Sequence, residues 1–200
     1  MKLLQNALYT LSGRLSLGWI VLLIAGLNIY WSLTLGAFGA HFQQAAGVPL
    51  LDLQNVSGVL TADAALALIT QYSPEARSLY WAFFILDTLM PPLVFGSFGV
   101  LWAFLLRRFP QRLTFLAASP LILLPVGVGL FDWLENLCFV MAMAATTGDA
   151  LPLVQLGQLF VTLKAACLFA TFGLTPVFAV IALVSWIRSR SAPRVSAAAV

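Results

Sequence analysis

Charge is scarce in this chain: 8% of its residues are Asp, Glu, Lys or Arg, against about 25% in an ordinary soluble domain. Histidine occurs once, at His41, and cysteine twice, at Cys138 and Cys167. A single histidine outside the apolar runs leaves no His-based metal cluster. Two cysteines without CxxC spacing exclude a disulfide framework and a zinc or redox motif. Buried, inert thiols are the expectation for both, although a bond between them is conceivable. No phosphate loop, dinucleotide fingerprint, haem ligand pair or nucleophile triad is present, which argues against kinase, redox and hydrolase chemistry. No metal and no cofactor are expected. An internal repeat is also missing, so an inverted-repeat carrier within one chain is disfavoured.

What the chain has is oil. It is 62% hydrophobic, with a mean hydropathy of +0.99. Four apolar runs, at roughly 15–39, 79–106, 113–147 and 157–187, each exceed the ~20 residues needed to cross a bilayer. The fold class is therefore all-α: a polytopic membrane protein, a four-transmembrane-helix bundle forming a single domain over 1–187. A basic tail, 188–200, reads as disordered. The third run is too long for one straight span, and Pro120, Pro125, Gly127 and Gly129 should bend it. Pro91–Pro92 and Pro176 should do the same in the second and fourth.

Acid is absent from three segments that carry most of the base. Lys2 and Arg14 precede the first run, Arg107, Arg108 and Arg112 lie between the second and third, and Arg188, Arg190 and Arg194 follow the fourth. Asp52, Asp63, Glu75 and Asp149 lie in the other two loops with a single Arg77. The excess of base over acid thus reports topology, with both termini cytoplasmic, and not nucleic acid binding. A bacterial inner (plasma) membrane is the expected location. The first run, about 24 residues, outlasts the 7–15 of a signal sequence and reads as a span. In the outer loop, 40–78, Thr61 should cap a short helix to about Tyr72, and Ser73-Pro74-Glu75 should launch the second span.

Against this background four ionisable residues stand inside the spans: Asp87, Asp132, Glu135 and Lys164. A charge at the bilayer centre costs at least ~2.5–3.5 kcal/mol, so such residues are functional-site candidates by default. At 1.5 Å per residue, Asp87, Glu135, Asp132, Lys164 and Asn28 lie about 12, 16, 21, 10 and 13 Å below the outer ends of their runs. One layer of the outer half therefore receives a polar group from every span. Asp132, Glu135 and Asn136 share a stripe at i, i+3, i+4. Lys164 can neutralise one acid, Glu135 or Asp87 by depth, or reach outward to the surface. Two acids then remain, and holding both ionised would cost several kcal/mol each. One or both should take up a proton, with Asp132, the deepest, as the donor and Asn136 bonded to it. Tyr80 falls seven residues before Asp87 on the same face. Trp133 is too deep for an interface anchor and either packs or lines a cavity. Asn28 and Lys164 also suit simple helix-tying, where such bonds contribute about 0.6 kcal/mol.

The series Tyr80…Asp87…Pro91, then Phe131-Asp132-Trp133-Leu134-Glu135-Asn136, with Tyr72-Ser73-Pro74-Glu75-Ala76-Arg77 before it, resembles a pattern in small four-span bacterial membrane proteins. That resemblance implies no activity. In general plan the chain also resembles the sterol-isomerase and sigma-2-receptor-like membrane family, which binds flat apolar ligands and, in its enzymes, protonates an alkene. No intramembrane histidine matches that catalytic pattern, so no residue is carried over.

Three functions follow as expectations. In the first, Asp132, Glu135 and Asp87 are catalytic and Asn136, Lys164, Asn28, Trp133 and Tyr80 bind a lipid or isoprenoid-like molecule, with acid-initiated isomerisation or cyclisation as the reaction. In the second, the chain is a non-catalytic accessory or assembly subunit of a larger membrane complex. In the third it is a proton-coupled transporter, which would need a homo-oligomer.

Overall fold

The structure, a computed structural model, describes residues 2–145 and 150–191. Most of these are helical, and none forms a strand. A polar helix, α1 (Lys2–Arg14), precedes α2 (Leu17–Ala46). Two short helices, α3 (Leu51–Ser57) and α4 (Ala62–Thr70), occupy the following loop. Then come α5 (Pro74–Leu106), α6 (Thr114–Ala118), α7 (Leu124–Ala144) and α8 (Ala150–Ser191). Four helices are long and apolar enough to cross a membrane: α2, α5, α8, and the segment Pro120–Ala144 that contains α7.

Local chemistry sets the ends. Ser16, Thr61 and Ser73 each accept a bond from the backbone N–H three residues on, at 3.4, 3.2 and 3.1 Å, which starts α2, α4 and α5. Pro74 sits at the start of α5, where a missing N–H costs nothing. Gly47, at φ 70°, closes α2 in the left-handed region that a side chain disfavours. The Thr61-capped helix ends at Thr70, two residues short of the sequence expectation.

The spans differ from the sequence reading in three places. α2 runs to Ala46, seven residues past the expected end, and α8 begins at Ala150, seven before the expected start. In the third run the chain breaks at Ser119, whose ψ of 157° is incompatible with a helix ahead of Pro120. Short turns at Gln111–Leu113 and Pro120–Leu123 bracket α6 before α7 sets off. The run's expected end at 147 lies outside the described residues. So does most of the tail, while 188–191 continue α8.

Through Pro91–Pro92, in contrast, α5 remains one helix. A proline cannot bond the carbonyl four residues earlier, so Pro92 orphans that of Thr88. The indole Nε1 of Trp133 donates to this carbonyl at 2.7 Å. Gly129 of α7 rests on the backbone of the two prolines: a Cβ there would lie 3.4 Å from Pro91 C and Pro92 N.

The helices α5, α7 and α8 pack as a three-helix core, with α2 laid mainly against α5. Aromatic rings join α2 to α5, Phe38 and Trp31 meeting Phe83 at centroid separations of 5.5 and 6.2 Å. At the basic end, Trp102 Nε1 donates to Thr175 Oγ1 at 2.8 Å and ties α5 to α8. Helix α1 covers that end, where Tyr9 OH donates to Ala117 O at 2.7 Å and Gln5 Nε2 to Ser119 O at 3.0 Å. At the other end the guanidinium of Arg77 donates from Nη1 to Met143 O (3.0 Å), one of the carbonyls the end of α7 leaves open.

The closest pair, α7 and α8, meet at Gly157, where a Cβ would come within 2.7 Å of the Phe139 ring. Phe139 is fully buried and has little room to turn. Gly157→Ala should therefore cost about 1–3 kcal/mol by overpacking. Gly173→Ala on the same helix meets nothing within 4 Å and should be neutral or better. Thermal unfolding in detergent checks the pair, and equal midpoints would refute the close approach.

Candidate functional site

Five of the residues singled out by sequence form one bonded chain in the upper half of the α5–α7–α8 core. Lys164 Nζ lies 3.1 Å from Asp132 Oδ1 and also pairs with Glu135 Oε2. Asn136 Nδ2 donates to Asp132 Oδ2 at 3.3 Å and, across the helix interface, to Asp87 Oδ2. The i, i+3, i+4 stripe on α7 accounts for three of the five, because one helix face turns them all toward α5 and α8. Asp87 meets them from α5 and Lys164 from α8.

Burial is uneven across the chain. The side chain of Glu135 is fully enclosed, and Asn136 and Asp87 are buried. Asp132 and Lys164 keep 14% and 21% of their side-chain surface open. The centre thus has a sealed inner side and an exposed edge. Two buried oxygens, Glu135 Oε1 and Asn136 Oδ1, have no partner among the described residues. Such atoms cost roughly 1–3 kcal/mol each if left dry, so they mark a place for a donor.

The lysine partner differs from one of the two sequence alternatives. Lys164 serves Glu135, as depth suggested, but its second partner is Asp132 and not Asp87. Asp87 is left with an amide and an acid for neighbours. Three other expectations are corrected. Asn28 donates to Ile24 O at 2.8 Å, bonding its own helix and not the centre. Trp133 is 42% exposed and turned to the outside of the core, engaged with Thr88 O. Tyr80 is buried on the right face, yet its hydroxyl donates to Asp52 Oδ2 at 3.0 Å. It contacts the centre's neighbour and not the centre.

Asp52 was missed by sequence reasoning, which read it as a loop acid. It is 8% exposed, on α3, and α3 folds back to touch α2, α5 and α8. The hydroxyl of Tyr72 fixes this small helix, accepting from Leu51 N at 2.9 Å and donating to Pro49 O at 3.0 Å. That contact replaces the capping side chain that Leu50 cannot supply. On the same roof Gln158 Nε2 donates to Asn55 Oδ1 at 3.3 Å, and Asn55 Nδ2 and Gln158 Oε1 have no partner among the described residues. A clue existed in the sequence: Asp52 follows the apolar run Val48-Pro49-Leu50-Leu51, of which both leucines are fully buried.

The region thus gathers four acids, Asp52, Asp87, Asp132 and Glu135, and one ammonium, which pairs with Asp132 and Glu135. For Asp52, outside the spans, burial pushes the carboxyl up to about 6; the Lys164 charge and the Tyr80 bond oppose this, while Asp132 reinforces it. Its folded value exceeds the unfolded one, so the folded state holds the extra proton between about pH 4 and 6. Stability from this group is full below that window and falls as pH rises through it. Asp52→Asn should remove on the order of 2–3 kcal/mol of this pH dependence. Thermal midpoints of both proteins at pH 4.5 and 7 test it: the wild type should lose more on going to pH 7, and parallel lines would refute the assignment.

No protein-family model, curated protein or solved structure matches the chain. The site's chemistry must be read from its own geometry. Among the described residues no group of three or more His, Cys, Asp or Glu could hold a metal ion. Cavities of 530, 370 and 360 Å³ lie elsewhere, and none is lined by Asp87, Asp132, Glu135, Asn136 or Lys164. Access to the centre is by its exposed edge.

Proposed function

We propose that the chain is a multi-pass protein of the bacterial inner membrane, with both termini cytoplasmic, whose buried centre binds a hydrophobic lipid or isoprenoid-like molecule and exchanges a proton with it. The observation that carries this reading is the gradient of burial through an acid-rich network. Asp132 and Lys164 form a polar edge on an apolar helix pair, and behind them Glu135, Asn136 and Asp87 are closed off. Polar side chains that face out of a bundle at this depth are costly unless something meets them.

Roles follow from the bonds. Lys164 and Glu135 form a fixed pair. Asp132 stands at the edge as the donor, and Asp87, with no cation beside it, stores the proton behind. In the catalytic form, the proton stored at Asp87 passes to Asp132, whose O–H bond then breaks as a C–H bond forms on an alkene carbon of the guest. The resulting carbocation rearranges, loses a proton to a carboxylate of the centre and leaves as an isomer or cycle. The negative surroundings stabilise that cation.

Identification of the guest tests the proposal. The protein would be extracted with its surrounding membrane into polymer nanodiscs and its co-purifying small molecules identified by mass spectrometry. An apolar molecule enriched over bulk lipid, and lost in Asp132→Asn, is the expected result. No enrichment, or enrichment indifferent to that change, would count against it. The Tyr80–Asp52 bond above the centre favours a second reading, proton transfer from the outer side. Proton flux in liposomes, reduced by Asp52→Asn, would support that instead.

A further inference from the structure

At the end of the molecule opposite the acid centre, α2 and α8 diverge and leave a groove of 530 Å³ with α5 as its floor. Its walls are apolar: Leu17 and Val21 on α2, Leu101 and Leu105 on α5, Ala179 and Leu183 on α8. Three groups of a different kind also line it, Thr175, Arg108 and Trp186. Arg108 lies with its guanidinium 3.5 Å above the Phe104 ring and spends one donor, Nη1, on Phe104 O. Among the described residues it has no acid partner. The Trp186 ring carries a second guanidinium, that of Arg190, at 4.1 Å.

We propose that this groove binds one acyl chain of an anionic phospholipid from the leaflet on the basic side, with the headgroup held by Arg108 and Arg190. Size and charge both point to this occupant. A single hydrocarbon chain is thin enough. The small side chains of Ala179 and Ala182 leave the slot, and larger ones would fill it. The basic segments of the sequence at this end add Arg14, Arg107, Arg112 and Arg188 to Arg108 and Arg190, and none of the chain's seven acids lies in these segments. A phosphate is the missing counter-charge, and a zwitterionic headgroup would return part of it. Each engaged basic residue should contribute about fivefold preference for an anionic headgroup. The inference stands apart from the function proposed for the acid centre, since no residue is shared.

The probe is dioleoyl phosphatidylglycerol, titrated against dioleoyl phosphatidylcholine into the detergent-solubilised full chain and counted as bound lipid by native mass spectrometry. Wild type should retain one phosphatidylglycerol at least tenfold more strongly than phosphatidylcholine. Arg108→Gln should lower that preference about fivefold and still bind lipid. Ala179→Trp should reduce retention of both lipids by filling the slot. Equal retention of the two lipids by wild type, or retention of neither, would overturn the proposal. So would an unchanged preference in Arg108→Gln, or full retention by a folded Ala179→Trp. Should Ala179→Trp fail to fold, the surface change at Arg108 still decides the matter.

Discussion

Lys164→Met is expected to lower the stability of the protein by about 3–5 kcal/mol, the largest effect of any single substitution considered. The ammonium is the common partner of Glu135 and Asp132, and Glu135 has no access to solvent. Without the cation, Glu135 must either stay ionised and unpaired or take up a proton. The first outcome is the strongly destabilising one. Methionine matches the lysine stem in length, so the loss reports charge and not packing. A second substitution separates these terms. Lys164→Met with Glu135→Gln removes both charges, and a buried pair replaced by neutral groups is often close to neutral. The double variant should therefore recover most of the loss, leaving Asp132 at the exposed edge to be solvated or protonated. Thermal or denaturant unfolding of wild type, both single variants and the double variant closes the cycle. A loss below about 1 kcal/mol for Lys164→Met would place the ammonium in water at the outer surface, as a snorkelling side chain would be.

Much of this arrangement was legible from periodicity and length. The spans follow from apolar run length, and the grouping of Asp132, Glu135 and Asn136 follows from their spacing on one turn. Depth counting also brought Asp87 and Lys164 to the same level, because a helix advances by a fixed rise. Depth is blind to direction, and that is where the reading failed. Asn28 lies at the right level but satisfies itself on Ile24 O, the bond a half-buried amide finds without any neighbour. Trp133 sits between two site residues and yet points outward, since adjacent helical positions diverge by about 100°. Its role was within reach: Pro92 leaves the carbonyl four residues back without a donor, and an indole N–H is a natural substitute. Asp52 was beyond reach for a different reason. Its burial depends on α3 folding over α2, α5 and α8, a tertiary event with no period in the sequence. A loop acid counted for its sign alone carries no information on whether it turns inward.

The proton balance of the centre gives the second large expectation. With Lys164 committed to Glu135 and Asp132, Asp87 has no cation partner among the described residues, and Asn136 supplies it with a neutral donor. Asp87→Asn should leave the fold intact or slightly more stable, because an amide can keep the bond to Asn136 while removing an excess buried carboxyl. Any proton transfer to the guest should fall by about 10²–10⁴-fold, the usual contribution of a positioned acid. These two results together distinguish a proton store from a structural tie, which would lose stability and activity in parallel. An observable independent of turnover is available in the infrared. At neutral pH the wild type should show the carbonyl stretch of a neutral carboxylic acid, shifted on exchange into heavy water. Asp87→Asn should abolish that band, whereas Glu135→Gln should leave it in place. A band that survives Asp87→Asn would move the proton to Asp132 or Glu135, and the absence of any such band would mean that the centre holds its charges fully ionised. In that case a bound cation or a basic group on a partner, and not a proton, must meet the oxygens of Glu135 and Asn136 that the described residues leave open.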